Sequence, residues 1–476
     1  MQYKKKYCFF IILFFFQLTA FSQEKWSLEK CIDYAIKNNI QLKQQKITSD
    51  IYQNNGRQSA ISFLPSINAN INHNNNYGRK VDAFTNDFTN DKTKSDNFSL
   101  VSSITLFNGF QNINTYKQSH YNFLASLQDI EKAKNDMSLN IAASYLQILF
   151  NEELLIIAKN QVDVTKQQVE RLKLFFNEGS VAQDKLLEIE SQLASEEYQV
   201  VNSENQLNMS YLTLIQLLDL DSIENFKIEH PEISISNENI LNLNVTQIYH
   251  EALNKLPQIK SSEFKLKSSE KGLAIAKGAR YPTLTLNGSF GTGYSDAKKD
   301  ISISSYGSYV TGYVDDITGN RLNVYSNTIN YDYKTRSFEN QLNDNISKSL
   351  YFSLNIPIFN GWQISTNVSN AKLNLINSQY NLELSKKQLF KDIQQAYSDA
   401  YAAYNKYNAA NKSVFAIQQS FDFTQKKYDV GLVNYVDYNV AKNNLIKAKS
   451  DLLQAKYEYL FKIKILDFYK GIPIKL

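Results

Sequence analysis

Two hydrophobic periods alternate along the chain. From Gln111 to about Phe176, Ile113, Tyr116, Phe123, Leu127, Ile130, Met137, Ile141 and Ile148 recur at three- and four-residue spacings. That is the period of a helix with one packed face. At 1.5 Å per residue the helix is roughly 100 Å long. Such a length leaves a coiled coil, a membrane span or a helical repeat. Lys117, Asp129, Glu131, Lys132, Lys134 and Asp136 interrupt the run and argue against a span. A turn is predicted at Asn177-Glu178-Gly179-Ser180, and beyond it Leu186, Leu193, Val200, Leu207 and Leu214 stand seven apart.

The same pattern occurs again. Gly179 and Gly431 are separated by 431 − 179 = 252 residues, and the same offset carries Asn108-Gly109 onto Asn360-Gly361. It also carries the five heptad positions onto Tyr438, Leu445, Leu452, Tyr459 and Leu466. One offset held over more than a hundred residues indicates an internal duplication.

Between the helical stretches the period drops to two. Ile67, Ala69 and Ile71 alternate with Asn68, Asn70 and Asn72; Phe98, Leu100, Ile104 and Leu106 alternate with Ser99, Ser103 and Thr105. These read as a β-hairpin with a solvated loop over Asn74 to Asp96. In the second copy, Leu284, Leu286 and Phe290 and then Leu350, Phe352, Ile356 and Ile358 repeat the alternation, with Pro357 on the opposite face. Pro65 and Pro282 close the preceding helices at an offset of 217, so the second copy carries 252 − 217 = 35 extra residues between its strands. They fall in a Gly/Ser/Tyr/Asn-rich segment, 291–347, expected to be a long exposed loop. Ser27 is an N-cap candidate for the first helix, whose face is Leu28, Ile32, Ala35 and Ile36; Val245, Ile248, Tyr249 and Leu253 match it.

The expected layout has a leader at 1–22 and a first structural repeat at 23–220, made of a helix, a β-hairpin at 66–107 and a long helical hairpin at 110–218. A connector follows at 221–243. The second repeat, 244–470, has a helix, a β-hairpin at 283–359 with the long loop, and a long helical hairpin at 362–470. The fold class is mainly α with a small β part. Four half-apolar strands need a covering layer in water, or lipid on one face and a closed sheet. Four strands cannot close a water-filled barrel alone, but several chains could. A soluble half-buried sheet is the alternative. Likewise, Ala371, Ser378, Ser385 and Ala396 beside Leu375, Leu382 and Leu389 suit either a solitary antiparallel rod or packed hairpins lining an aqueous tube.

Composition adds few constraints. Six Pro and 15 Gly among 476 residues accord with long helices. Lys4, Lys5 and Lys6, the apolar run from Tyr7 to Phe16 and Ala20-Phe21-Ser22 form a secretory signal. Cys8 lies inside that run rather than at its end, which argues against lipoprotein processing. Removing the leader takes the formal charge from +4 to +1, no footprint for nucleic acid. Cys31 alone remains, so no internal disulfide is expected. The four His form no zinc pattern: after His250-Glu251, Asn254 stands where a second His is required. No Walker loop or nucleophile elbow occurs, so neither catalysis nor a cofactor is expected.

The chain resembles the TolC-like outer-membrane efflux channels over about Trp26 to Lys470. The resemblance rests on Phe107-Asn108-Gly109 and Phe359-Asn360-Gly361 at the strand–helix junctions, on Phe176 to Val181 and Tyr428 to Val433 at the turns, and on the duplication. It implies a homotrimer with a 12-stranded barrel in outer-membrane lipid, closed by trimerisation, and an α-helical barrel in the periplasm. It also implies a periplasmic adaptor (membrane fusion) protein, an inner-membrane transporter, and service in tripartite efflux or type I secretion. The adaptor is expected at the hairpin tips: Gly179, Ser180 and Val181; Gly431, Leu432 and Val433. The resemblance places a pore constriction at Asp437, with Tyr428 matching the family's Tyr three residues before the turn Gly. The second acidic position of the family is Val440 here and its basic latch position is Val433, so the constriction and latch differ in this chain. Three copies of Asp437 around an axis would repel one another and attract a cation. The rival is a soluble periplasmic coiled-coil adaptor or structural protein.

Overall fold

The computed structural model describes residues 25–89, 92–221, 226–231 and 243–475. The leader at 1–22 lies outside the described residues, as do 222–225 and 232–242 of the connector. Helices α1 (Leu28–Asn38) and α2 (Ile40–Ile61) are followed by β1 (Ser66–Asn76), a small ladder of β2 (Lys80–Val81) and β3 (Phe88–Thr89), and β4 (Thr93–Asn108). Next come α3 (Gln111–Asn177), α4 (Gln183–Leu218), α5 (Val245–Lys255) and α6 (Pro257–Gly278). The remainder is β5 (Thr283–Ser295), β6 (Lys299–Asp315), β7 (Arg321–Thr335), α7 (Phe338–Asp344), β8 (Ser347–Asn355), α8 (Gln363–Asp429) and α9 (Tyr435–Lys470).

Helices recur at matched lengths: α1 and α5 have 11 residues, α2 and α6 have 22, α3 and α8 have 67, and α4 and α9 have 36. The compact units nevertheless cut across these copies. One comprises Asn54–Ser119 and Ser269–Leu375; the other holds the remaining described residues.

In the helical unit, Ser27 caps α1, its Oγ accepting from Lys30 N at 3.2 Å. Asn39 breaks α1 from α2, and its Oδ1 accepts from Gln41 N at 2.9 Å. Leu28, Cys31 and Ala35 of α1 pack with Ile141, Tyr145 and Ile148 of α3, Leu214 and Leu218 of α4, and Leu453 and Tyr457 of α9. Ile248, Ala252 and Ile259 meet Leu389 and Ile393 in a second cluster. Helix α3 is long and apolar enough by composition to cross a membrane. Its residues from Met137 to Leu149 go into the shared core, and its charges flank that stretch along the helix. The buried stripe of α4 lies three residues beyond the leucine series until Leu214, where the leucines themselves are buried. Leu186, Leu193, Val200 and Leu207 are half-buried, while Ile189, Glu196, Ser203 and Ser210 are buried.

In the sheet unit, the strand order is β1-β4-β5-β8, every neighbour antiparallel. The structure departs from the sequence expectation at two places. The final strand of the second hairpin ends at Asn355 rather than running to Ile358, since Pro357 has no N–H to give a ladder. Much of the segment 291–347 is not loop. Strand β5 continues to Ser295, β6 and β7 form an antiparallel ribbon, and α7 follows. Bulges at Ile303/Ser305 and Val310/Gly312 shift the alternation twice, which hides the period of two from the sequence.

Candidate functional site: sheet faces and hairpin tips

Pairing register decides which side chains share a face of the sheet. Ile71 opposes Phe98 and Ala69 opposes Leu100. Leu100 opposes Phe290 and Ile104 opposes Leu286. Leu286 opposes Phe352 and Leu284 opposes Leu354. Directly opposed residues point the same way, so four strands present one continuous apolar face. The other face carries Asn68, Asn70, Ser99, Ser103, Thr285, Asn287, Ser289, Ser349 and Ser353. The apolar face is uncovered in the protomer: Ile71 and Leu350 are each 73% exposed. Strands β1 and β8 each have one unpaired edge in this sheet. Such a sheet, apolar on one face and polar on the other with open edges, fits lipid only when closed.

Each junction to a long helix turns through two consecutive left-handed residues. These are Gly109 (φ 64°) and Phe110 (φ 62°), then Gly361 (φ 62°) and Trp362 (φ 68°). Asn108 steadies the first, its Nδ2 donating to Asn112 Oδ1 at 2.8 Å. Gly109 is doubly required, because a Cβ there would stand 2.2 Å from Gly278 O. At Gly361 the same position faces open space, and Asn360 O accepts from Gln363 N at 3.3 Å.

Both hairpin tips are built alike. Gly179 (φ 72°) ends α3, with Gly179 N donating to Phe176 O and Ser180 N to Phe175 O, each at 2.9 Å. Gly431 (φ 78°) ends α8, with Gly431 N donating to Tyr428 O at 3.0 Å and Leu432 N to Lys427 O at 2.8 Å. These pairs close the orphan carbonyls of a helix end, and a left-handed residue there favours Gly. Leu174, Phe175, Phe176, Val430 and Leu432 are exposed around the tips, Gly179 and Ser180 with them; Val181 and Val433 are half-buried.

Asp437 lies in the first turn of α9 and is exposed, its backbone N donating to the capping Asn434 Oδ1 at 2.8 Å. With Val440 it lines a groove between α8 and α9 that also holds Lys406, Lys447 and Asp451. Tyr428 is placed differently. Its ring stacks on Tyr438 at 4.7 Å and lies beside Tyr435, and burial raises its phenol above the ordinary range. Tyr438 is buried, its hydroxyl taking Gln168 Nε2 at 2.6 Å.

The helices also enclose an internal polar site that no sequence motif announces. Lys442 of α9 donates to Thr165 Oγ1 of α3 at 2.8 Å and stands 3.7 Å from Glu196 Oε1 of α4. Glu196 also accepts from Thr165 Oγ1, and from Gln161 and Gln192 at 2.8 Å each. Its one sequence signal is the seven-residue series Ile189, Glu196, Ser203, Ser210. Among the described residues no group of three metal-ligating side chains occurs.

Residues 31–219 and 325–464 match the family model described as outer membrane efflux protein. No curated protein matches the sequence. Among solved structures, the CmeC outer membrane channel of Campylobacter jejuni is similar, with TM-score 0.74 and 20% identity over 93% of this chain and 85% of that one. The outer membrane protein VceC of Vibrio cholerae gives TM-score 0.74 and 13% identity over 93% and 96%. The open MtrE outer membrane channel of Neisseria gonorrhoeae gives 0.68 and 17% over 94% and 88%.

Proposed function

The chain belongs to the outer membrane efflux protein family and is an outer-membrane efflux duct with its helical part in the periplasm, and from that premise we propose that three copies close one barrel, with a strand register the protomer already contains. Within one chain the two copies pair alike: Ser66 opposes Ser103, and the offsets of 217 and 252 carry that pair onto Thr283 and Asn355, which are also opposed. The pairing of β4 with β5 sets Ser102 against Gly288. Moved by the same offsets, to 102 + 252 and 288 − 217, it sets Leu354 against Ile71 of the partner subunit. Both residues lie on the apolar face, so that face runs unbroken around twelve strands. The observation that carries this reading is the uncovered apolar face bounded by two open edges.

The chain that carries Leu354→Cys and Ile71→Cys together should give a covalent trimer on oxidation, and either variant alone should not. A monomeric band from the double variant, or mature protein that leaves planar bilayers electrically silent, sinks the proposal. In the same bilayers Asp437, as part of the constriction, should control cation block; an Asp437→Ala channel with unchanged conductance and block removes that role. The tips at 177–182 and 429–434 present apolar side chains to a periplasmic adaptor protein. An inner-membrane transporter supplies the energy and chooses the cargo, since the duct's polar face carries Asn, Ser and Thr suited to many solutes. A solitary soluble rod leaves the apolar face of the sheet in water.

A further inference from the structure

The ribbon of β6 and β7 has no counterpart in the first copy, and its two faces differ. Bulges included, Ile301, Ile303, Tyr306, Val310 and Tyr313 share one face with Tyr333, Tyr331, Ile329, Tyr325 and Asn323, interrupted by the polar pair Ser308 and Asn327. The other face is polar over its root half, pairing Asp300 with Lys334, Ser302 with Asp332, Ser305 with Asn330 and Gly307 with Thr328; beyond it come Tyr309 opposite Ser326 and, at the tip, Val324 and Val314 opposite Gly312 and Leu322. The aromatic face is bare in the protomer; Tyr306 is 77% exposed. Two strands alone are marginal in water, and open edges with an apolar face need a cover.

The root of this ribbon is fixed. Gln341, fully buried, accepts from Ser295 N at 2.9 Å and donates to Ser295 O and Arg336 O, both at 2.9 Å. Ser295 Oγ donates to Asp82 at 2.6 Å. The Arg336 guanidinium pairs with Asp300 at 2.8 Å and Asp344 at 2.6 Å. The ribbon therefore leaves the end of β5 as a positioned element.

We propose that the aromatic faces of the three ribbons of a trimer pack on one another beyond the barrel. One observation argues against lipid, and two more allow copies of this chain to meet. Strands β1, β4, β5 and β8, with 11, 16, 13 and 9 residues, already span the hydrocarbon, which takes about 9–11 residues of tilted strand. The ribbon begins after that length is used. The aromatic face carries charge only at its ends, Lys299 at the root and, at the tip, Asp315 paired with Arg321 at 3.6 Å, the guanidinium over the Tyr313 ring; between them three copies meet without repulsion, while Asp300, Asp332 and Lys334 remain on the face left to water. Finally, twelve strands at about 4.8 Å spacing make a ring on the order of 20 Å across, and strands of this length reach roughly 50 Å, enough to converge. This rests on the trimer proposed above.

The test uses the full chain with Tyr306→Cys on the aromatic face and Ser305→Cys on the polar one; Tyr331→Cys repeats the aromatic position should the first variant misfold. Wild type, with buried Cys31, sets the baseline. Trimers of the Tyr306 and Tyr331 variants should form covalent dimers on mild oxidation, and those of Ser305→Cys at least tenfold less. Equal or absent linkage in an intact trimer overturns the ribbon contact alone. Aromatic-face thiols shielded from an aqueous maleimide but unlinked indicate lipid or another protein, and overturn it too. A chain that forms no trimer overturns both proposals.

Discussion

Lys442 and Glu196 keep 4% and 8% of their surface in the protomer, so each charge depends on the other and on Thr165, Gln161 and Gln192. Glu196 has three hydrogen-bond donors besides the lysine; Lys442 has a single short bond and an ion pair at 3.7 Å. Glu196→Ala strands a buried ammonium and should cost about 3–5 kcal/mol. Lys442→Met should cost less, because the carboxylate retains its donors. Thermal melts of equal depth for the two variants would contradict this ordering. Burial pushes the Lys442 ammonium below the ordinary lysine range. Between its folded and unfolded values the unfolded chain binds more protons, so this group makes stability rise with pH across that alkaline window. Lys442→Met should flatten the rise. No local pattern marks the pair, because its members lie on different helices of different copies and only packing brings them together.

At the scale of the element, local signals were strong. Gly179 and Gly431 end their helices where the heptads break, and both are left-handed. The junction glycines look alike in sequence but differ in surroundings. Gly361→Ala meets only the cost of a left-handed alanine, about 1–2 kcal/mol. Gly109→Ala adds a collision with Gly278 O, so helix α6 or the junction must move. Its melting temperature should fall clearly further than that of Gly361→Ala, and matching melts would refute the distinction. The ribbon shows the opposite limit. Two single-residue bulges, at 303/305 and 310/312, scramble an alternation that would otherwise have announced two strands. Pro357, by contrast, cuts β8 short of the expected Ile358 through its missing N–H, a local cause the alternation of apolar residues overrode in the sequence.

At the scale of the whole molecule, the sheet's two faces require two solvents. Phe352 lies mid-strand on the apolar face and its neighbour Ser353 on the polar face. Phe352→Lys should cost about 2–4 kcal/mol for insertion into bilayer vesicles. Ser353→Lys should insert normally and shift ion selectivity. Equal insertion yields for the two would mean that the apolar face does not meet lipid.

The sequence by itself determined the helix and strand periods, the turn glycines, the offsets of 217 and 252 and the family resemblance. All of these are written in residues close along the chain or in one pattern repeated. Tertiary structure alone decided the order β1-β4-β5-β8, the register that joins four apolar stripes into one face, the burial of Ile189 and Glu196 where Leu186 and Leu193 stay half-buried, the contact of Gly109 with Gly278, and the paired ribbon. Each of those joins segments far apart in sequence. Such contacts form only after the cost of closing long loops is met, and residue spacing alone does not say which partner will meet it.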